Sequence, residues 1–310
     1  MKGKTLIGAA VGTIGAAAVG NRLLSRRVTS LGPPLERETG SYRWRGMNIA
    51  YTEGGDPEDP DMVLVHAPGI IGTSREFNRV FERLAGSYHV LAPDLPGFGR
   101  SDRPPLTYSS TLYETFLEDF VRDLLQDPVA IASGLSGAYV VAAARNVDLE
   151  RSFLICPTTT IDVRAPTQTG RILRIPVLGK TSFNGMVSQA GILRHVENRW
   201  VFDTDRLGEH DITYFWQTAH QPGARYAPSS CYAGYCDSQL DLDHALQQFG
   251  GEATIIWGRE TTTPSLGDGR TLAQGANTKL VVVDQSRAMP HFEQPGAFFD
   301  ILEEHVQAFE

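Results

Sequence analysis

The sequence predicts an α/β protein with a mostly parallel eight-stranded sheet, helices on both faces of the sheet, and a helical lid inserted after strand 6. Short β-rich runs alternate with runs of helical periodicity, which is typical of a doubly wound sheet. Several of the strands are continuous apolar runs, as expected where both faces are buried. With 310 residues, 41% apolar and 21% charged, the chain can form one large core plus an insertion.

The eight predicted strands define the core. They are residues 42–44, 48–52, 62–66, 89–92, 129–133, 153–155, 253–257 and 280–283. Apolar residues recur at helical spacing between them, in residues 77–84 and 117–125, and again near the end of the chain in residues 298–306. The stretch 157–251 has helical runs but no convincing strand. We therefore expect a core of residues 42–156 and 252–310, a helical cap of residues 157–251, and a linker of residues 29–41.

The first 28 residues form a separate hydrophobic segment. Lys2 and Lys4 precede an uncharged run of residues 5–20, which extends to residue 24 if Asn21 and Arg22 are tolerated at its end. Its length lies between that of a membrane-spanning helix and that of the apolar part of a secretory signal. We expect membrane anchorage through residues 5–24, with a cytoplasmic body because the charge balance leans slightly that way. A cleaved signal and a secreted body is the second interpretation, and a solvent-exposed tail is the third.

Charge and cysteine content exclude several classes of function. The 28 Lys and Arg against 36 Asp and Glu give a net charge of −8, and no basic patch of the kind that binds nucleic acid is evident. The three cysteines, Cys156, Cys231 and Cys236, lack the spacing of a zinc or redox motif and are interpreted as unremarkable thiols. No histidine pair has metal-ligand spacing. We therefore predict no nucleic-acid partner, no metal and no other cofactor.

The most informative stretch is residues 129–144, which predicts a strand, a tight turn and an alanine-rich helix. A serine on such a turn needs small residues two positions before and after it, and Gly134 and Ala138 flank Ser136 in this way. We predict Ser136 as a nucleophile and the N–H of Gly137 as an oxyanion donor at the start of the helix. The alternative is a small-residue turn that merely packs a helix onto the sheet.

Together with this turn, two other segments carry a resemblance to a known family. Residues 63–66 (VLVH) end the third strand, and residues 92–102 (APDLPGFGRSD) follow the fourth. Residues 42–310 resemble the α/β-hydrolase superfamily, in its capped esterase, dehalogenase and epoxide-hydrolase-like branch. The resemblance implies the α/β-hydrolase fold, a structural turn at residues 94–102, and acyl transfer, because the dehalogenases and epoxide hydrolases of this branch carry Asp where we predict Ser136.

The downstream half of the family's catalytic pattern is altered. A seryl nucleophile needs a basic histidine and an acid that orients it. The family frame after Trp257-Gly258 places Thr261 at the acid position, and Glu260 beside it is the candidate acid. The frame around Pro290 places Ala288 at the position of the base. His291 is then the candidate base, with a structural role as its alternative, and His220 in the cap is the other candidate.

The front of the pattern also differs. Ala67 and Pro68 follow His66, and proline has no N–H to offer an oxyanion. Gly69 is the candidate second oxyanion donor, with Ile70 as the alternative. We expect His220, Trp216 and Tyr226 in the cap to line an apolar substrate pocket, with plain core packing as the alternative.

Two functions fit these observations. The first is a serine hydrolase that acts on a small apolar or acyl substrate of carboxylic-ester type with a degenerate triad. The second is a membrane-tethered, non-catalytic pseudo-hydrolase that binds an apolar ligand or a protein partner. The first requires an imidazole nitrogen about 3 Å from the Ser136 hydroxyl. Oxygen or peroxide chemistry without a cofactor needs the same acid and base, and it therefore meets the same objection.

Overall fold

A computed structural model describes residues 15–37, 39–161 and 167–305. Eight strands form one sheet in the order β1-β2-β4-β3-β5-β6-β7-β8, in which β1, β2 and β4 pair antiparallel and the remaining pairs are parallel. The strands are β1 Thr39–Trp44, β2 Met47–Gly54, β3 Asp61–Val65, β4 His89–Pro93, β5 Val129–Ser133, β6 Arg151–Ile155, β7 Glu252–Gly258 and β8 Lys279–Val283. The prediction of an eight-stranded, mostly parallel sheet is confirmed.

The helices fall into three groups along the chain. Residues 15–25 form α1. The helices of the core are α2 Phe81–Leu84, α3 Ser110–Leu124, α4 Leu135–Ala143, α11 Leu266–Ala276, α12 Pro290–Glu293 and α13 Pro295–His305. Six further helices lie between β6 and β7 in the described chain, and we call the segment that holds them, residues 167–247, the insertion: α5 Thr167–Arg174, α6 Leu178–Met186, α7 Gln189–Arg199, α8 Glu209–His220, α9 Tyr226–Tyr232 and α10 Leu242–Gln247.

The sheet separates two apolar clusters, and single strands contribute to both. In β3, Val63 and Val65 belong to one cluster and Met62 and Leu64 to the other. Successive strand residues point to opposite faces, so a strand buried on both sides must be apolar throughout. This is why the parallel strands are continuous apolar runs rather than alternating ones.

The insertion has an apolar cluster of its own. Phe183, Ile192, Val196 and Phe215 pack together there, and Ile70 from the loop after β3 joins them. The insertion is therefore held against the end of the sheet at which the parallel strands finish, because that loop follows the carboxyl end of β3.

The N-terminal segment is described only in part. Helix α1 contacts the insertion through Asn21, whose amide donates to the Val177 carbonyl at 3.2 Å and the Thr181 hydroxyl at 2.9 Å. Within the described ranges, none of the helices has the length and apolar character that crossing a membrane requires. The predicted anchor, residues 5–24, begins outside the described residues, which start at residue 15.

Candidate functional site

The turn between β5 and α4 is made by Gly134. Its φ of 56° and ψ of −126° lie in a region that side chains with a Cβ rarely adopt. Its N–H donates to the carbonyl of Ile155 at 2.8 Å, which ties the turn to the neighbouring strand. A nucleophile in this kind of fold stands on such a strained strand-to-helix turn. The residue in that place here is a glycine, which has no nucleophilic group.

Ser136 lies two residues beyond the turn, inside the first turn of α4. The structure differs here from the sequence prediction, which placed Ser136 on the turn itself. Its side chain is fully buried, and its hydroxyl donates to the carbonyl of His66 at 2.7 Å. The N–H of Gly137, the predicted oxyanion donor, donates to the carbonyl of Gly134 at 3.0 Å. The small residues around Ser136 fit close helix packing, whereas the positive φ that defines the turn falls at Gly134.

A cavity of about 130 Å³ lies over this turn, between the core and the insertion. From the core, its walls include Ala67, Gly69, Glu76, Gly134, Leu135 and Ala288. Helices α7 and α9 contribute His195, Cys231 and Tyr232 to the opposite wall, and Trp200 follows α7 directly. The lining is predominantly apolar, with a few polar groups, which is the usual character of a small-molecule site. The predicted donor Gly69 does line the cavity, and Ser136 does not.

Glu76 is the buried acidic group of this cavity. It lies on a short 3-10 helix, Ser74–Phe77, and is 1% exposed. Its Oε2 accepts from the N–H of Ala67 at 3.1 Å, and its Oε1 has no hydrogen-bond partner among the described residues. Burial raises the pKa of this carboxyl to about 8, while the nearby Ser133 hydroxyl and the Ala67 N–H oppose the shift. At neutral pH the group is therefore a carboxylic acid rather than a carboxylate.

The aspartate of the predicted structural turn holds the 3-10 helix in place. Oδ1 of Asp94 accepts from the hydroxyls of Thr73 and Ser74, both at 3.0 Å, and from the N–H of Ser74 at 2.8 Å. Its Oδ2 accepts from the N–H of Arg100 at 2.9 Å. The loop after β4 thereby sets the position of the helix that carries Glu76.

His291 contacts Glu76 and is not among the residues that line the cavity. Its Nε2 lies 3.7 Å from Oε1 of Glu76, and its ring packs against Phe77 and Phe298. The side chain is fully buried, and neither ring nitrogen has a hydrogen bond within the described part of the chain. Burial lowers the pKa of the imidazole to about 3, so the ring is neutral. The His291 imidazole therefore lies against the Glu76 carboxyl, whereas the Ser136 hydroxyl donates a hydrogen bond to the His66 carbonyl.

The carboxyl of Glu260, the predicted acid, is hydrogen-bonded to the backbone. Its Oε2 accepts from the N–H of Ser286 at 2.9 Å, and its own N–H donates to the Ser286 carbonyl at 3.0 Å. Thr261, at the family's acid position, is buried, with its hydroxyl 3.9 Å from the Cys156 sulfur. Burial raises the pKa of that thiol to about 12. The structure thus places a hydroxyl and an un-ionised thiol near the expected acid position.

The three predicted substrate-pocket residues lie away from the cavity wall. His220 donates from Nδ1 to the carbonyl of Trp216 at 2.7 Å and stacks on that residue's ring, with centroids 4.3 Å apart. The Tyr226 hydroxyl accepts from Arg225 at 3.1 Å. The insertion's histidine on the cavity wall is instead His195 of α7. Burial lowers its pKa to about 4, so it too is neutral. Helical periodicity alone does not reveal which helix of the insertion faces the core.

The cysteines also differ from the prediction. Cys231 and Cys236 form a disulfide with their Cα atoms 4.6 Å apart, and Cys156 is a free, buried thiol. A turn after α9 folds the chain back and brings the pair together, which spacing alone does not disclose. In the described chain, no group of three or more His, Cys, Asp or Glu residues could hold a metal ion.

Sequence reasoning missed Glu76 and His195. Glu76 follows three polar residues, Thr73, Ser74 and Arg75, so nothing in the local pattern predicts that its carboxyl is buried. The signal that was available is its position in the loop after β3, since residues at the carboxyl ends of parallel strands meet at one edge of a sheet.

Comparison with known proteins agrees with this architecture. The model of the alpha/beta hydrolase family matches residues 62–301, and the chain belongs to that family. An uncharacterized hydrolase of Saccharomyces cerevisiae is 39% identical over 59 residues, which are 19% of this chain and 20% of that protein. Lipase 1 of Psychrobacter immobilis is 31% identical over 102 residues, or 32% of this chain and 31% of the lipase. Each match therefore spans about a third or less of the relative's length.

A structural neighbour covers much more of the chain. The crystal structure of a serine hydrolase involved in carbazole degradation has a TM-score of 0.69, with 14% identity over 86% of this chain and 97% of its own. At this identity the likeness shows the fold. The relatives are named as hydrolases, which is consistent with the expectation of a hydrolase for this chain.

Proposed function

We propose that this chain binds a small, largely apolar ligand in the cavity over Gly134, and that it acts without a seryl nucleophile. The observation that carries the proposal is the glycine at the strained turn, where a nucleophilic side chain would have to stand to reach the cavity. This is the non-catalytic member of the two functions predicted from the sequence. Tethering through residues 5–24 is an independent part of that prediction.

The size and lining of the cavity support the ligand class. An apolar protein cavity of about 150 Å³ holds a molecule the size of benzene, and this one is close to that volume at about 130 Å³. The ionisable groups discussed above, Glu76 and His195, are both neutral at pH 7 by the direction of their pKa shifts. Arg199 is the one charged side chain among the described lining residues and already has interactions of its own, so a fully charged ligand would lose its hydration there with little in return.

Ester hydrolysis through Ser136 is the second candidate, and the names of the relatives favour it, since they include a lipase and a serine hydrolase. This reaction requires the Ser136 hydroxyl to leave the His66 carbonyl and turn toward the cavity. It also requires a base, and the candidate His291 is packed against Glu76.

The test combines covalent labelling with ligand binding, both on the full chain. We expect a fluorophosphonate probe to give no labelling, and p-nitrophenyl butyrate to be hydrolysed no faster by the wild type than by Ser136→Ala. We expect acetophenone to bind, and changes in amide chemical shifts measure this binding. Ala288→Leu should weaken that binding at least tenfold by filling the cavity, and Ala297→Leu, on an exposed face of α13, should not.

Two results would overturn the proposal. Labelling that disappears in Ser136→Ala would establish a working seryl nucleophile. If acetophenone does not bind, or if Ala288→Leu leaves its binding unchanged, the cavity is not the ligand site.

A further inference from the structure

We propose that Glu76 is the polar anchor of the cavity, a carboxylic acid that donates a hydrogen bond to an uncharged acceptor oxygen, of the carbonyl type, on the bound ligand. The inference rests on the proposed function, because it specifies the chemistry of the ligand in the same cavity. It adds a binding residue and a rule of selectivity, namely that neutral carbonyl compounds are accepted and carboxylates are excluded.

The geometry of the carboxyl carries the inference. Glu76 lines the cavity at 1% exposure, and its Oε2 is satisfied by the Ala67 N–H. Its Oε1 makes no hydrogen bond of normal geometry among the described residues: Nε2 of His291 lies 3.7 Å away, and the Ser133 hydroxyl, which acts on the pKa of the carboxyl, makes no such bond either. Buried polar groups in native proteins nearly always have partners. An unsatisfied carboxyl at the wall of an apolar cavity indicates that a ligand supplies the missing partner.

The groups around Glu76 favour its protonated form. His291 from α12 faces it at 3.7 Å, and burial keeps that imidazole neutral. Ser133 of β5 and the Ala67 N–H contribute dipoles and no charge. From the insertion, His195 is neutral and Arg199 also lines the cavity. The free thiol of Cys156 on the same wall is un-ionised. Among the described residues of this wall the one cation is Arg199, which has interactions of its own.

Protonation determines which ligands fit. A protonated carboxyl can donate to a ketone, aldehyde or ester oxygen, whereas a carboxylate can only accept. Because burial raises the pKa of Glu76 to about 8, the donor is present at pH 7 and is lost above pH 8. A ligand that carries its own carboxylate is disfavoured because it must lose its hydration in the apolar cavity, and above pH 8 it would also face the ionised Glu76.

The experiment compares three probes of similar shape on the full chain: acetophenone, ethylbenzene and benzoate. We expect acetophenone to bind about tenfold more tightly than ethylbenzene at pH 6.5, the value of one good hydrogen bond, and benzoate to bind most weakly. Acetophenone affinity should fall at least fivefold between pH 6.5 and 9.5. Glu76→Gln keeps a donor and cannot ionise, so it should retain the preference for acetophenone and lose the pH dependence.

Two further variants complete the test. Glu76→Leu should bind acetophenone and ethylbenzene equally. Glu114→Gln changes a half-buried carboxyl on α3 that does not line the cavity, and it should behave as the wild type. If acetophenone and ethylbenzene bind wild type equally and without pH dependence, the anchor is refuted while the apolar cavity stands. If neither probe binds, the proposed function itself fails.

Discussion

At the level of single residues, the pair Glu76 and His291 combines two groups whose pKa values burial moves in opposite ways. The pKa of the Glu76 carboxyl is raised to about 8, and the pKa of the His291 imidazole is lowered to about 3. Both are neutral at pH 7, so the pair avoids two buried charges. The same burial makes the stability of the fold depend on pH.

The contribution of Glu76 to the free energy of unfolding should fall as the pH rises from about 4.5 to 8, whereas the buried imidazoles of His291 and His195 act in the opposite direction up to their unfolded pKa of 6.5. In that range the folded chain keeps the Glu76 proton, whereas the unfolded chain, with an ordinary pKa of 4.5, has released it. The loss can reach about 1.4 kcal/mol per pH unit and ends above pH 8. Urea unfolding at several pH values should show that the stability of wild type relative to Glu76→Gln declines over this range. The stability of wild type relative to an exposed control, Glu58→Gln, should not change with pH, and a Glu76→Gln curve that runs parallel to the wild-type curve would contradict the expectation.

At the level of elements, a buried ion pair joins the 3-10 helix that carries Glu76 to helix α8 of the insertion. The Arg75 guanidinium lies 2.9 Å from Oδ1 of Asp211, and both side chains are at most 10% exposed. The same Oδ1 accepts from the amide of Asn78 at 3.1 Å, and Arg75 also donates to the carbonyl of Pro34. The Arg75 guanidinium of the core therefore contacts both the linker, at Pro34, and the insertion, at Asp211.

Asp211→Ala should destabilise the fold by about 3 kcal/mol, because it leaves the Arg75 charge buried without its partner. Replacing both residues, with Arg75→Met and Asp211→Leu, should recover part of that loss, because the uncompensated charge is removed although the Asn78 amide and the Pro34 carbonyl lose these partners. Chemical denaturation of both variants measures this. An exposed pair gives the comparison, because Lys279→Ala, which removes the partner of Glu304, should change stability by less than about 1 kcal/mol.

At the level of the whole molecule, the cavity joins the core and the insertion, so a ligand placed there should stabilise both against unfolding. A ligand at ten times its dissociation constant adds about 1.4 kcal/mol to the free energy of unfolding if it binds the folded state alone. We expect acetophenone to raise the thermal midpoint of the full chain in a concentration-dependent way. Differential scanning calorimetry on Ala288→Leu should show little shift, and an equal shift in that variant would place the binding elsewhere.

Much of the architecture follows from local pattern. The apolar runs at residues 62–66, 129–133 and 253–257 predict buried parallel strands, and these strands occur within a residue or two of the predicted bounds. A strand that is buried on both faces must be apolar throughout, so it is easily recognised in the sequence. The motif segments also identify the family correctly, because the turns they describe depend on small residues at fixed positions.

The candidate site is less accessible to the same reasoning. Ser136 and Gly134 lie two positions apart on one turn, and only the backbone angles reveal that Gly134 stands where a nucleophile would. The burial of Glu76 depends on Asp94, 18 positions later, and on His291 near the end of the chain. His195 faces the cavity because of how the insertion packs, which its own helix does not encode.

The sequence by itself determined the sheet and the family, since both depend on residue types at short spacing. The tertiary structure decided which residue occupies the turn, which carboxyl is buried, which cysteines pair and which histidine reaches the cavity. The physical reason is that φ, burial and pKa are set by contacts between segments far apart in the chain. Those contacts place a buried carboxyl with an unsatisfied oxygen at the wall of a largely apolar cavity.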